Sequence, residues 1–194
     1  MKKYILICIF LLSSLAFAIN DLSTLKTLKF NAEEKQLING REKLIKYSVT
    51  IEFPKKIRKE INFPELNKGE VYVYENNLKK VYLPIFDEYK ETDIDADENK
   101  IIQAINKLIF LEKDEKFKKE YQSKKLKAFK LDENENTIIN INTYLEKDNY
   151  ILPENIEIID DNISLGTVFI RDIEINIPLN KEIFYLKKGK KWYF

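Results

Sequence analysis

The sequence predicts a mainly β fold of the α+β kind: one strongly bent antiparallel sheet with helices over its concave side. Three observations carry this. From Ile45 to Phe86, apolar and polar residues alternate with the period of a sheet that has one buried face. Turn signals recur between the alternating runs, Asn39-Gly40 being the sharpest, because both central residues of a type I′ turn need positive φ. Midway, the apolar spacing changes once: Ile101, Ile102, Ile105, Leu108 and Ile109 fall on one helical face. Sequential hairpins imply a single large sheet, and its concave side is the simplest place to bury that helical face.

Residues 1–18 read as a secretory signal peptide. Lys2 and Lys3 precede an apolar run from Tyr4 to Leu15, and Ala16-Phe17-Ala18 offers a small-residue cleavage site. The run is short for a membrane span. Cys8 follows Ile7, where a lipid-anchoring signal needs a small residue, so no lipid anchor is expected. Cleavage after Ala18 leaves residues 19–194 as one domain.

The elements follow in order. Asp21 to Leu25 is a short helical lead-in. A weak first strand begins near Leu28 and Phe30, and Asn39-Gly40 turns it into a strong strand from Arg41 to Phe53. Pro54 ends that strand. Ile57 to Phe63 is a third strand, Pro64 to Gly69 a turn, and Glu70–Tyr74 with Leu78–Phe86 a hairpin around Glu75-Asn76-Asn77. Asp87 to Asn99 reads as an acidic loop, with Asp95 or Asp97 as helix cap. The first helix follows, and a second, more charged one runs from about Glu112 to Gln122. Strands resume at Leu126–Leu131, Thr137–Tyr144, Asn149–Asp160 (broken near Pro153) and Ile163–Ile177. In the last, Ile173, Ile175 and Ile177 share a face, with Phe169 expected to join them, and a bulge is expected near Arg171-Asp172. Glu182 to Leu186 makes a final apolar contact, and KKGKKWYF is a basic tail. Five strands thus precede the helical insert and about four follow.

Composition excludes several classes of function. The chain has 33 Lys+Arg against 32 Asp+Glu, which excludes a generally basic nucleic-acid binder. Histidine is absent and Cys8 is the lone cysteine, so the usual zinc sites and the Ser-His and Cys-His nucleophile systems are excluded. The exported domain folds without disulfides. No pair of carboxylates is singled out by its spacing, and Asp93 to Asn99 lacks the turn glycine and bidentate glutamate of a calcium loop. No enzyme, metal site or cofactor is predicted. The eleven tyrosines and twelve phenylalanines admit two readings: strand formers packed in a core, or the lining of a concave apolar pocket.

With these residues set out, the chain resembles the periplasmic lipoprotein carrier LolA and its relatives. The likeness is a pattern over nearly the whole exported region. It comprises Phe53-Pro54, Lys55 to Ile61, Pro64, Gly69 with Val71-Tyr72-Val73-Tyr74, Lys79 to Leu83, the helical segment Ile101 to Phe110, LPENIEIIDD, and an I-x-I-x-I strand end before Pro178. The resemblance implies an incomplete barrel around a hydrophobic cavity with a helical lid. It implies a periplasmic protein that binds acylated lipoproteins or related lipids, taking them from an inner-membrane transporter to an outer-membrane acceptor. A monomer is expected. The cavity is expected to be lined by Tyr47, Val49, Ile51, Tyr72, Tyr74, Phe169 and Ile173, and the lid to present Ile105, Leu108 and Ile109. The family's arginine before the proline, which bonds to the lid, falls on Phe53. Lid closure is then either apolar or latched by Arg58 or Arg171. The alternative is an envelope interaction or sensor protein that uses the same half-barrel to bind a protein partner.

Overall fold

The structure, a computed structural model, describes residues 18–38, 40–75, 78–93, 100–132 and 136–186. Residues 1–17 of the predicted signal peptide, Asn39, Asn76-Asn77, the cap candidates Asp95 and Asp97, and the tail from residue 187 lie outside the described residues.

Among the described residues, ten strands form one sheet. They are β1 (Thr27–Ile38), β2 (Arg41–Glu52), β3 (Lys56–Phe63), β4 (Val71–Glu75), β5 (Leu78–Leu83), β6 (Glu88–Asp93), β7 (Ala128–Lys130), β8 (Ile138–Lys147), β9 (Tyr150–Asp160) and β10 (Ile163–Ile175). Between β6 and β7 lie α1 (Lys100–Leu111) and α2 (Glu115–Gln122). The spatial order is β6-β5-β4-β3-β2-β1-β10-β9-β8-β7, with neighbours antiparallel throughout. First and last strands therefore meet in the middle, and β6 and β7 are the unjoined edges of an open barrel. The helical insert connects those two edges, and its apolar face packs on the inner side of the sheet between them. α2 starts on a side-chain cap: Asp114 accepts from the Phe117 N–H at 2.8 Å.

The period-two pattern decides which residues face inward. Leu28, Phe30 and Ala32 of β1 stand opposite Ile51, Val49 and Tyr47 of β2. All six are buried in one core with Ile101, Ala104 and Leu108 of α1. The predicted bulge is present: Lys29 pairs with Glu174 but Asn31 pairs with Arg171, so β10 carries an extra residue there, and Asp172 has φ 53°. Its consequence differs from the expectation. The bulge shifts the parity, so that Val168 and Ile170 share the inner face with Ile173 and Ile175, whereas Phe169, opposite Glu33 and Asn155, faces outward.

Three elements depart from the sequence reading. β1 is no weak strand: it pairs with β2 along its whole length and with β10 on its other side. The stretch read as an acidic loop from Asp87 contains β6, so six strands precede the helices. β6 is an edge strand, exposed over most of its length, so no apolar alternation announces it. Pro153 does not break β9. Two irregularities in the β8–β9 register follow it, between Pro153 and Ile156, and the strand runs on through them.

On the outer face, a smaller cluster forms around Val71, Val73 and Phe184, joined by Ile183 and Leu186. The expected contact of residues 182–186 is thus made, against β4. Arg58 fixes it there, donating to the Ile183 carbonyl at 3.0 Å and to Glu60 at 2.7 Å.

Candidate functional site

A cleft remains where α1 covers the sheet. Phe30, Leu108, Phe129, Ile156 and Ile173 are among its walls, and every side chain lining it is apolar. It measures about 30 Å³. A pocket for a drug-sized ligand needs on the order of 300 Å³ or more, so the helices rest closed on an almost filled interior.

The expected cavity residues separate into four groups. Ile105, Leu108 and Ile173 line the cleft. Tyr47, Val49 and Ile51 lie on the same inner face but are packed into the core beside it, and Ile109 is half-buried against that core. Tyr72 and Tyr74 also face inward, but line a separate hollow away from the helices. Phe169 is on the outer face, for the parity reason above. Phe30, Phe129 and Ile156 went unforeseen. Their alternation marks them as buried in a strand, but only the sheet's curvature brings them under one helix.

Neither arginine latches the helices. Arg58 is on the outer face, bound to the C-terminal segment. Arg171 is exposed at the bulge, on the same outer side as Asn31. At the position of the family arginine, Phe53 packs partly buried against the main core, so this corner of the sheet is closed by apolar contact.

The polar tethers of the helices lie elsewhere. Glu112, just past α1, accepts from the Leu22 N–H at 2.6 Å. Asp21 accepts from Lys118 at 2.8 Å and from Gln122 at 3.1 Å. The buried Tyr121 hydroxyl donates to the Ile151 carbonyl at 2.7 Å, and Lys100 donates to Thr137 at 3.3 Å. Residues 21–24, just before β1, thus act as the main clasp of the helical layer. Glu112 is an unusual member of this clasp. It is buried, its Oε1 has no partner, and burial raises its carboxyl pKa above the usual value. The charge of Asp21 adds to that rise, while the N–H groups of Leu22 and Ser23 oppose it.

The two ends of the sheet differ. At the end holding the β1–β2 turn, large apolar side chains stand in water at four separate places: Leu37 near the end of β1, Leu66 and Phe86 on connections, and Ile163 at the start of β10. The inner face at this end also carries charge. Glu34, Lys59 and Lys100 border one hollow of about 230 Å³. A second, of about 220 Å³, is bordered by Lys43, Lys59 and Glu70. No group of His, Cys, Asp and Glu suited to a metal occurs among the described residues, and no helix among them is long and apolar enough to cross a membrane.

No family model and no curated protein matches the sequence. Solved structures do match the fold. A LolA superfamily protein from Nitrosomonas europaea is similar with TM-score 0.57 at 10% identity, over 84% of this chain and 91% of that one. A DUF1329 family protein from Desulfovibrio piger gives TM-score 0.59 at 9% identity, over 84% and 91%. A domain from Vibrio parahaemolyticus described as an outer membrane lipoprotein-sorting protein gives 0.51 at 11%, over 81% and 88%. At these identities the likeness is one of architecture: this chain has the open-barrel fold of LolA-superfamily structures.

Proposed function

We propose that the chain is an exported carrier of acyl chains. One observation supports this above the rest: a wholly apolar cleft lies beneath helices tethered to the open barrel by a handful of polar contacts. A permanent core would leave such helices no reason to lift. Here the driving force for opening is large. Removing an acyl chain of about a dozen carbons from water gains roughly 10 kcal/mol, at ~0.8 kcal/mol per methylene. The part-exposed Asp21–Lys118 ion pair opposes this only weakly, at ~0–1 kcal/mol, and the buried hydrogen bonds of Glu112 and Tyr121 oppose it by ~1–3 kcal/mol each. In this reading residues 1–18 are removed after Ala18, and the domain works in the periplasm as a monomer. It takes acylated lipoproteins or lipids from an inner-membrane transporter and gives them to an outer-membrane acceptor. The inner-face residues Tyr47, Val49 and Ile51 become cavity wall once α1 lifts.

The test is to isolate the protein from the envelope, extract it for mass spectrometry, and titrate the delipidated protein with a fluorescent fatty acid. Co-purified acyl lipid and saturable probe binding are expected. A protein that carries no lipid and binds no probe is no carrier.

A second reading, an envelope protein that binds a protein partner, has the exposed apolar residues at the β1–β2 end behind it. A partner captured by lipid-free protein that binds no probe would select it.

A further inference from the structure

The two charged hollows adjoin, and side by side they make a trough. They share Ile45 and Lys59, and the first of them shares Ile101 with the apolar cleft. An open polar space therefore adjoins the acyl site, with one isoleucine side chain at the boundary.

The trough is built in an unusual way. Lys59 lies on the inner face of β3, between Ile57 and Ile61, where the alternation calls for an apolar residue. Its ammonium stands over the ring of Tyr47, 4.1 Å from the centroid. Lys43 and Lys100 also border the trough, against the carboxylates of Glu34 and Glu70, so cations exceed anions there. α1 begins at this spot with Lys100, which adds the positive end of its dipole. The Tyr47 side chain, on a residue only 1% exposed, is buried close to the Glu34 carboxylate; burial, and with it that carboxylate, raises the pKa of its hydroxyl. Ile45, Ile61, Tyr72 and Ile158 give the same trough apolar walls.

We propose that this trough holds the phosphate head of an amphiphile whose acyl chain enters the cleft past Ile101. Lys59 and Lys100 are the cations nearest the boundary, and act on the phosphate as point charges. The inference rests on the carrier reading and narrows it: the preferred cargo bears a phosphate next to its chain.

The test compares two probes with the same fluorescent acyl chain, lysophosphatidylglycerol and monoacylglycerol, on the delipidated protein. The phosphate-bearing probe should bind about tenfold more tightly at low salt, a difference of about 1.4 kcal/mol, and the preference should shrink as salt screens it. Lys59→Gln should sharply reduce the preference and leave monoacylglycerol binding unchanged, whereas Lys59→Arg should keep it. The wild-type comparison needs no variant, so a misfolded mutant does not remove the test. Equal binding of the two probes overturns the head site and leaves the carrier reading standing. Binding of neither overturns both. Displacement of the probe by equimolar glycerol 3-phosphate also overturns the inference, since the site would then serve a soluble anion.

Discussion

Replacing Leu108 with alanine probes the cleft and the lid together. Leu108 is 2% exposed, faces the sheet from the middle of α1, and lines the apolar cleft. The substitution removes three carbon groups, worth ~2.4 kcal/mol of transfer at ~0.8 each. A cavity term adds to this, bringing Leu→Ala losses in buried cores to about 3–5 kcal/mol. The site favours the upper half of that range, because a hollow of about 30 Å³ already persists beside Leu108 and the surroundings have not collapsed onto it. Urea unfolding should therefore show ~4 kcal/mol lost, and a thermal midpoint lower by roughly 8–16 °C for a chain of this size. A carrier should in exchange bind a fluorescent acyl probe at least as well as wild type, since the cleft is larger. A loss below about 1 kcal/mol would mean that α1 does not pack as described, and the closed lid would have to be abandoned.

Two further substitutions test the frame and the clasp. Gly166 of β10 stands opposite Gln36, and a Cβ there would lie 2.3 Å from the Lys35 carbonyl oxygen, at φ +155°. Gly166→Ala should cost several kcal/mol, more than the ~1 kcal/mol of an ordinary glycine exchange, and a melting midpoint unchanged from wild type would contradict the close β1–β10 seam. Glu112 gives a pH signature. Its carboxyl pKa is raised in the fold, so the folded state holds its proton more tightly than the unfolded chain does. The stability linked to this group is therefore complete below the usual glutamate range and is lost as pH rises through the folded value. The melting midpoint of wild type minus that of Glu112→Gln should be larger near pH 4 than near pH 7. A difference that stays constant, or runs the other way, refutes a desolvated carboxylate in the clasp.

Lys59 shows how far a one-dimensional pattern reaches. Read along β3, it is an exception in an apolar stripe. Only the pairing with Tyr47 and Tyr72 across neighbouring strands makes it the wall of a trough. β6 was hidden for a related reason: an exposed edge strand has no buried face to impose a period. Phe169 faces outward because the extra residue at the bulge puts Val168 and Ile170, not Phe169, on the face of Ile173 and Ile175.

The features legible along the chain are therefore those that local physics dictates. Period-two runs and turn residues specify hairpins, one helical stripe specifies a cover, and the absence of histidine removes whole classes of chemistry. Tertiary structure alone decided which residues meet. The pairing of β1 with β10 places the first and last strands side by side. Residues 21–24, just before β1, meet Glu112 and Lys118, some ninety residues away in sequence. Contacts between such distant residues depend on the sheet's curvature and register, properties of the whole sheet that no local stretch encodes.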